Sequence, residues 1–314
     1  MIRRRHLLQA LPALTLVPAW AAGPRAFVPN EKSGTVSVID TGTDQVQGEF
    51  KVGGRPRGIA LSRDAKLLYV TDEERGLLVM DAASGQLRQK VAVGKSPEGV
   101  YASRDGRWLA VAVEESNAVA LIDTATHAVA GNVPVKGKNP EHAVFSPDGR
   151  WIYVGAEEGA QVDVIDVAAR SVVHSIEVGH RPRGIGFSPD GAWAWVGCEL
   201  DSRVAVIDVT KHESAGEFIA GEFCNGITVS PDGARVYVSN GRGGSVSIVD
   251  AKTRKVLSTV QVGQRPWNMG LTPDGAKLYV ACGRSHAVAV VDTATATKLK
   301  DVAVGQAPWG VAIG

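Results

Sequence analysis

Hydrophobic residues along the chain fall into short runs of alternating or β-branched residues, and seven of these runs end in aspartate. The aspartates are Asp40, Asp81, Asp123, Asp166, Asp208, Asp250 and Asp292. Successive aspartates are separated by 41, 42, 43, 42, 42 and 42 residues. A hydrophobic pattern that returns at such a regular interval indicates an internal repeat that covers most of the chain.

Each repeat predicts four short strands. The first follows a proline, as in PRGIALS, and a turn of the SPDG type leads to a second strand such as KLYVAC. The strand that ends in aspartate is the third, and a run such as RKVLSTVQVG is the fourth. Proline, aspartate and glycine favour the turn because they preset φ, cap backbone N–H groups and accept positive φ. Seven such units predict an all-β fold, a seven-bladed β-propeller with four antiparallel strands in each WD40-like blade.

The two ends of the chain complement each other in this pattern. QAPWGVAIG, at residues 306–314, has the form of a first strand with nothing after it. AFVPN, TVSVID and QVQGEFKV have the form of second, third and fourth strands with no first strand before them. The alternative is an open solenoid of seven units, which needs polar caps at its ends, and the sequence has none. We therefore predict that the C-terminal first strand and the N-terminal second to fourth strands close the ring in one blade.

The N-terminal segment MIRRRHLLQALPALTLVPAWAA has a basic start, an apolar stretch and a small-x-small site ending at Ala21. This order predicts a signal peptide over residues 1–21. The residues RRHLL resemble a twin-arginine signal, and an ordinary signal with a basic start is the alternative. We expect cleavage near Ala21, a single propeller domain over residues 22–314, and a monomer that is periplasmic or secreted.

Charge and composition narrow the choice of partners. Of the 34 basic residues three lie in the leader, which leaves 31 against 33 acidic residues. This balance gives no electrostatic reason to expect nucleic acid or an anionic membrane as a partner, and no later segment predicts a membrane span. Cys198, Cys224 and Cys282 lack the spacing of a disulfide framework, a zinc motif or a covalent haem site, although one bridge stays open.

The repeat also predicts a ring of variable residues at one mouth of the central channel. These residues lie just after the position 16 or 17 residues beyond each repeated aspartate, which is usually proline. They are Arg57, Glu98, Glu141, Arg183, Asn225, Trp267 and Trp309. The next position is glycine in five units, but His142 and Asn268 occupy it in the other two. We predict that these nine residues form a ligand site at the mouth.

A second, outer ring is predicted nine residues before each aspartate. It contains Glu31, Asp72, Glu114, Glu157, Glu199, Gly241 and Gly283. The five acids, together with arginines in neighbouring loops, either form salt bridges between blades, each worth about 0–1 kcal/mol, or build an anion or metal site. With one carboxylate per blade the ring is too wide to hold one ion, so we predict no metal site.

Single residues of the inner ring leave alternatives open. His142 replaces a repeated glycine in the one unit that carries an extra residue, so its ring should project toward the channel. It could ligate haem or a metal, act as a general base, or simply satisfy a local hydrogen bond. Trp267 and Trp309 either pack the mouth or offer a flat stacking surface to a ligand.

The segments LYVT, VSVID, VGQRPWNMGLTPDG and SPDG closely resemble the YVTN family of β-propeller repeats, from Phe27 to Gly314. Within that family the chain looks most like exported bacterial propellers associated with catabolism that depends on pyrroloquinoline quinone (PQQ). This resemblance implies a companion of quinoprotein dehydrogenases with no established catalytic activity of its own.

Three functions follow as hypotheses. The first is a non-catalytic propeller that binds a protein partner or a small ligand at the mouth and assists quinone-linked periplasmic oxidation. The second is a lactonase or lyase that uses His142 with Glu141 or Glu98. The third is a carrier of haem or a PQQ-like quinone that uses His142, Trp267 and Trp309. No cofactor is required by the first hypothesis.

Overall fold

The computed structural model describes residues 23–314, and the predicted signal peptide lies outside them. These residues form seven antiparallel sheets of four strands each. Numbered from the N-terminus, blade 1 contains Arg25–Asn30, Thr35–Asp40 and Gln45–Lys51 with Ala312–Ile313; blade 2, Pro56–Leu61, Leu67–Asp72, Gly76–Asp81 and Leu87–Val91; blade 3, Pro97–Ala102, Trp108–Val113, Ala118–Asp123 and Val129–Pro134. Blade 4 contains Lys138–Phe145, Trp151–Glu158, Gln161–Asp166 and Ser171–Glu177; blade 5, Pro182–Phe187, Trp193–Cys198, Arg203–Asp208 and Glu213–Ile219; blade 6, Cys224–Val229, Arg235–Asn240, Ser245–Asp250 and Val256–Gln261; blade 7, Pro266–Leu271, Lys277–Cys282, Ala287–Asp292 and Thr297–Ala303.

The described residues thus form a seven-bladed β-propeller, which confirms the predicted fold class. The first strand of each blade contacts the first strands of its neighbours and is innermost. The fourth strands are mostly exposed at the rim. No helix in residues 23–314 is long and apolar enough to cross a membrane.

The ring is closed in blade 1, as the sequence predicts. Ala312 and Ile313 pair with Phe27 and Ala26. The backbone N–H of Arg25 donates to the carbonyl of Gly314 at 2.8 Å, and the N–H of Gly314 donates back to Arg25 at 3.1 Å. The C-terminal strand therefore supplies the innermost position of a blade whose other three strands come from the N-terminal part of the domain.

The hydrophobic core is divided among the seven interfaces between adjacent blades. Each of seven buried clusters joins side chains from two neighbouring blades, including the interface of blades 7 and 1. In the interface of blades 2 and 3, for example, Tyr69 and Val79 pack with Leu109 and Val111. Because each sheet buries both faces against its neighbours, no blade has a core of its own, and stability depends on an unbroken ring.

The repeated turn residues explain the regular length of the units. In blade 4 the hydroxyl of Ser146 donates to Asp148, whose carboxylate also accepts the N–H of Arg150 at 3.1 Å. Gly149 completes this turn with φ of 73°. The repeated aspartates cap the next loop, and the N–H of Thr253 donates to Asp250 at 2.7 Å. These local bonds stop each strand at a fixed place.

The three cysteines are free and buried. Burial raises the pKa of the Cys198 and Cys282 thiols to about 12 and also raises the pKa of Cys224. The bridge that the sequence left open is therefore not formed, and the thiols are protonated, unreactive core residues at neutral pH.

Candidate functional site at the channel mouth

The predicted inner ring lies at the end of the propeller where the first strands begin. In six blades the pairing between first and second strands is interrupted there, as between Pro56 and Ile59 or between Pro266 and Met269. An interruption of this kind redirects the side chains within it. The ring residue of each of these blades falls inside the interruption, which explains why its side chain can turn toward the mouth instead of joining the sheet.

On one side of the mouth, arginines and carboxylates from different blades pair with each other. Arg57 of blade 2 forms ion pairs with Glu31 of blade 1 and with Glu98 of blade 3. Arg55 also pairs with Glu31 and with Glu73. The side chains of Glu31 and Glu98 are only 10% and 3% exposed, so the pairs of Arg57 are held between blades and largely out of water, whereas the Arg55 side chain is 49% exposed.

Arg183 of blade 5 organises a second cluster. Its guanidinium lies 2.5 Å from Glu141 and also pairs with Glu157, both of which belong to blade 4. Burial raises the pKa of Glu141, and its proton is shared with Glu157. The pKa of Glu157 is lowered: burial opposes the shift, but the bond to Glu141 and the charge of Arg183 outweigh it. A pair of carboxyl groups that shares one proton beside an arginine is close to neutral as a unit.

Glu199 marks the edge of this paired region. Its carboxylate is fully buried and lies 3.3 Å from Arg181 Nε, 3.2 Å from Arg183 Nε and 2.8 Å from Arg265 Nη2. Arg265 belongs to the loop before blade 7, so it reaches across blade 6 to Glu199. It can do so because blade 6 carries Gly241 at the outer-ring position, where a Cβ atom would lie 3.1 Å from the arginine.

His142 closes the centre of the channel. Its ring stacks on Trp309 with centroids 5.7 Å apart and planes 17° apart, and its Nδ1 forms a hydrogen bond with the Tyr101 hydroxyl. His142 is in blade 4 and Trp309 is in blade 1, so the stack spans the ring. The amide of Asn268 in turn donates to the carbonyl of Trp309 at 3.4 Å. Burial, with Arg183 nearby, lowers the pKa of His142 to about 3, so the ring is neutral. His142 is therefore a buried, hydrogen-bonded plug residue in this structure.

The mouth is open over blades 6 and 7, as far as the loop of blade 1 that carries Glu31 and Lys32. A cavity of about 1200 Å³ lies there, bordered by Trp267, Gly241 and Gly283. The two glycines stand where five other blades carry an acid. The Trp267 ring lies against Gly283, and a Cβ atom on that glycine would be 2.6 Å from Cζ3 of the ring. The absence of side chains at Gly241 and Gly283 thus leaves room for the cavity and allows the Trp267 indole to lie against Gly283.

This open sector is basic. The cavity is lined by Lys32, Arg242, Arg265 and Arg284, with Glu31 as its acid. Glu31 already pairs with Arg55 and Arg57, and Arg265 pairs with Glu199. Within residues 23–314 neither Lys32, Arg242 nor Arg284 takes part in an ion pair, although Arg242 lies 3.8 Å over the Phe223 ring. Three exposed cations are therefore available to an anion that enters the cavity.

The structure brings the nine predicted residues to one mouth, but in different environments. The four charged members, Arg57, Glu98, Glu141 and Arg183, are committed to ion pairs. Asn225 is buried and donates to Glu199 at 3.5 Å, while His142, Asn268 and Trp309 form the plug. Only Trp267 borders the open cavity. Their role as ligand-binding residues stays a prediction.

The residues that make the open sector basic are not among the nine predicted ligand-binding residues. Arg242 and Arg284 follow the two glycines directly, at positions occupied by acids in blades 2, 3 and 4. The sequence itself shows this change, because arginine replaces the acid at the same position of the repeat in blades 6 and 7. His286 lies in a loop outside the predicted inner ring, yet it lines the cavity and its Nδ1 accepts the Ala307 N–H at 3.1 Å.

Fold and mouth together define a seven-bladed β-propeller with a plugged channel and one basic opening. Family models agree with this class in separate parts of the chain. A lactonase, seven-bladed β-propeller model matches residues 168–307, a cytochrome D1 heme domain model matches 109–214, and a YNCE-like β-propeller model matches 18–107. Each covers less than half of the chain. No curated protein matched the chain in a sequence comparison.

Solved structures share the fold over most of the chain. A functionally unknown protein from Desulfotomaculum acetoxidans has a TM-score of 0.80 at 17% identity, covering 92% of this chain and 98% of that one. A candidate 6-phosphogluconolactonase from Bacteroides fragilis has 0.77 at 19%, covering 95% and 99%. Kuenenia stuttgartiensis hydrazine synthase has 0.74 at 22%, covering 82% and 89%. Identities this low establish the fold and leave the function to be argued from the mouth.

The haem-domain match can be tested against the histidines at the mouth. The channel cavity beside the plug measures about 90 Å³, far below the roughly 300 Å³ at which sites for cofactors begin. His286 borders the larger cavity, but a ligating histidine donates its second N–H, whereas Nδ1 of His286 accepts one. Neither residue fits an axial haem ligand. Residues 23–314 also contain no group of three histidine, cysteine or acidic residues placed to hold a metal ion.

Proposed function

We propose that this protein is an exported, non-catalytic propeller that binds a small planar anion in the open sector of its mouth. The observation that carries the proposal is the cavity of about 1200 Å³, in which the indole of Trp267 lies beside three cations that have no ion-pair partner in the described part of the chain. Arginine binds carboxylate and phosphate groups through paired N–H donors, and an aromatic face binds a flat ring system. In blades 2 and 5, by contrast, the ring arginines Arg57 and Arg183 already bind carboxylates.

Within this proposal PQQ is the first ligand to test. It is a planar quinone with three carboxylates, which suits a site with one indole face and several cations. A periplasmic propeller that binds it would serve as an accessory to quinoprotein oxidation. The resemblance to PQQ-associated propellers and the predicted signal peptide support this context.

The residues of the mouth support the lactonase or lyase hypothesis less well than they support anion binding. Its base would be His142, which is 1% exposed, stacked on Trp309 and neutral because burial lowers its pKa to about 3. A substrate would have to displace Trp309 to reach that ring. A lactonase assay with His142→Ala tests the alternative, because a base at the reacting centre contributes roughly a hundredfold or more to the rate.

Calorimetric titration with PQQ and with benzene-1,3,5-tricarboxylate tests the proposal. We expect both to bind, with affinity that falls as salt is added because the contacts are charged. Arg284→Ala and Arg242→Ala should each weaken binding by roughly tenfold. Arg104→Ala is the control, since Arg104 is an exposed arginine in a turn of blade 3 at the opposite end of the propeller.

The possible results distinguish two parts of the proposal, the anion site itself and PQQ as its ligand. If benzenetricarboxylate binds and PQQ does not, the anion site stands and the quinone is wrong. If neither binds at low salt, or if Arg104→Ala weakens binding as much as Arg284→Ala, the open sector is not the site.

A further inference from the structure

A second feature lies on the opposite face of the propeller, between blades 5 and 6. A groove of about 360 Å³ is lined there by Trp193, Trp195, Pro189, Asp232 and Arg254, among others. This volume falls within the range of small-molecule sites. The groove is formed by the turns at the far ends of the strands, so it is separate from the channel mouth.

The repeat shows what is unusual in this groove. Six of the seven second strands carry an aromatic residue at the Trp195 position, and four of these residues are tyrosines. In two of them the hydroxyl bonds to a loop of the next blade. The hydroxyl of Tyr153 bonds to Nδ1 of His212 at 2.8 Å, and the hydroxyl of Tyr279 donates to Asp44. Both partners lie four residues after a repeated aspartate. Each of these two interfaces therefore pairs a polar aromatic tip with an acceptor.

In blade 5 the acceptor is missing. The residue four positions after Asp250 is Arg254, which has donors only. Trp195 is 2% exposed, and its Nε1–H finds no acceptor among residues 23–314. A buried N–H that no protein group accepts costs about 1–3 kcal/mol, so its position beside a groove points to a partner from outside the chain.

The other groups of the groove describe that partner. The indole of Trp193 is 38% exposed, and the Arg254 guanidinium lies 6.0 Å from its ring centre, which leaves apolar surface for a flat group. Arg254 and Lys252 are balanced by Asp190 and Asp232, so the groove has no net charge. A neutral ligand therefore suits it better than an ion, because it needs no counter-charge in the groove.

We propose that this groove is a binding site for a neutral small molecule in which an aromatic ring carries a carbonyl group, such as an aromatic amide. The ring lies against Trp193, and the carbonyl oxygen accepts the Trp195 Nε1–H. An amide N–H of the same ligand can donate to Asp190 or Asp232. The site is independent of the anion site at the mouth.

The indole N–H signal of Trp195 is a direct probe of this contact. In ¹⁵N-resolved spectra of the mature protein, with the signal assigned through Trp195→Phe, we expect benzamide to move it downfield in a saturable way. Toluene, which has the ring but no acceptor, should produce no downfield shift. Trp193→Ala should weaken benzamide binding by roughly tenfold through loss of the stacking surface.

Blade 3 provides the matched control. Trp108 stands at the position of Trp193, and Arg170 lies 6.0 Å from its ring centre as Arg254 does from Trp193, but Ala110 replaces the inner indole. Trp108→Ala should leave benzamide binding unchanged. The proposal is overturned if benzamide leaves the Trp195 signal unmoved, if all indole signals shift together, or if Trp193→Ala has no effect. Should Trp193→Ala fail to fold, Arg254→Met changes another residue of the groove lining and should also weaken benzamide binding.

Discussion

The paired sector and the open sector of the mouth are built from the same repeat but behave differently. In blades 1 to 5 the outer-ring position is acidic, and arginines such as Arg57 and Arg183 are held between carboxylates of neighbouring blades. In blades 6 and 7 the same position is Gly241 or Gly283, and arginines follow it. Removing the carboxylate removes both the counter-charge and the bulk, so one position decides whether a blade closes the mouth or opens it.

The comparison also shows where binding energy can come from. In the paired sector an incoming anion would have to displace carboxylates that are already buried and paired, at a cost of several kcal/mol. In the open sector Lys32, Arg242 and Arg284 are exposed and need only shed water. An anionic ligand is therefore expected to gain more binding free energy in the open sector than in the paired sector, although the open sector contributes less to the stability of the ring.

The largest effect is expected from deleting residues 309–314, which breaks the ring that holds both sectors together. The deletion removes the pairing of Ala312 and Ile313 with blade 1 and the packing of Val311 and Ile313 at the interface of blades 7 and 1. We expect a loss of roughly 5 kcal/mol in the free energy of unfolding, measured by urea denaturation. A circular permutant that joins Gly314 to Arg25 through a short turn should keep normal stability. Equal stability of the deletion and the intact domain would contradict the closure account.

A strong effect on stability is expected at the boundary of the sectors. Glu199→Gln removes a buried carboxylate from Arg181, Arg183 and Arg265 and leaves Arg265 with no ion-pair partner among residues 23–314. Removal of one partner of a buried ion pair costs roughly 3 kcal/mol. Glu114→Gln is the control, since Glu114 has the same outer-ring position but accepts only a hydrogen bond from Ser96. If the two substitutions cost the same in urea denaturation, Glu199 does not hold the boundary as described.

Restoring the acid in blade 7 should close the open sector. Gly283→Glu places a side chain against the Trp267 ring and a negative charge beside Arg284. We expect benzenetricarboxylate to bind roughly a hundredfold more weakly, as measured by calorimetry. Gly283→Ala separates the causes, because it moves Trp267 without adding charge and should cost roughly tenfold. Unchanged binding in Gly283→Glu would exclude this sector as the site.

The smallest effect on stability at neutral pH is expected at the plug residue His142. Lowering the pH should make this effect measurable. The folded pKa of His142 is lowered to about 3, so below its ordinary value the unfolded chain binds a proton that the folded protein refuses. Stability should therefore fall as pH decreases from about 6.5 toward 3, by about 2 kcal/mol between pH 6.5 and 5. His142→Phe keeps a ring on Trp309 and should remove this part of the pH dependence in urea titrations. An unchanged slope would show that His142 is not buried as a neutral group.

The fold could be predicted almost completely from the chain, and the site only in part. Strand order and ring closure follow from local patterns, because every repeated aspartate, turn and proline acts within its own unit. The mouth depends on contacts between units. That Arg265 reaches over Gly241 to Glu199, or that His142 meets Trp309 across the channel, is decided by the radius of the ring and by side-chain size. The sequence register placed these residues at one mouth but could not say which pairs would form.

If the open sector binds anions with a flat ring, an anion that contains heavy atoms can be located there by crystallography. Crystals of the mature protein soaked with triiodoisophthalate, a dicarboxylate with a flat benzene ring, give an anomalous signal at its iodine atoms. We expect the strongest peaks beside Trp267, with carboxylates toward Arg242 and Arg284, and their loss in Gly283→Glu crystals. Peaks over Arg57 or Arg183, or none at the mouth, would contradict the account.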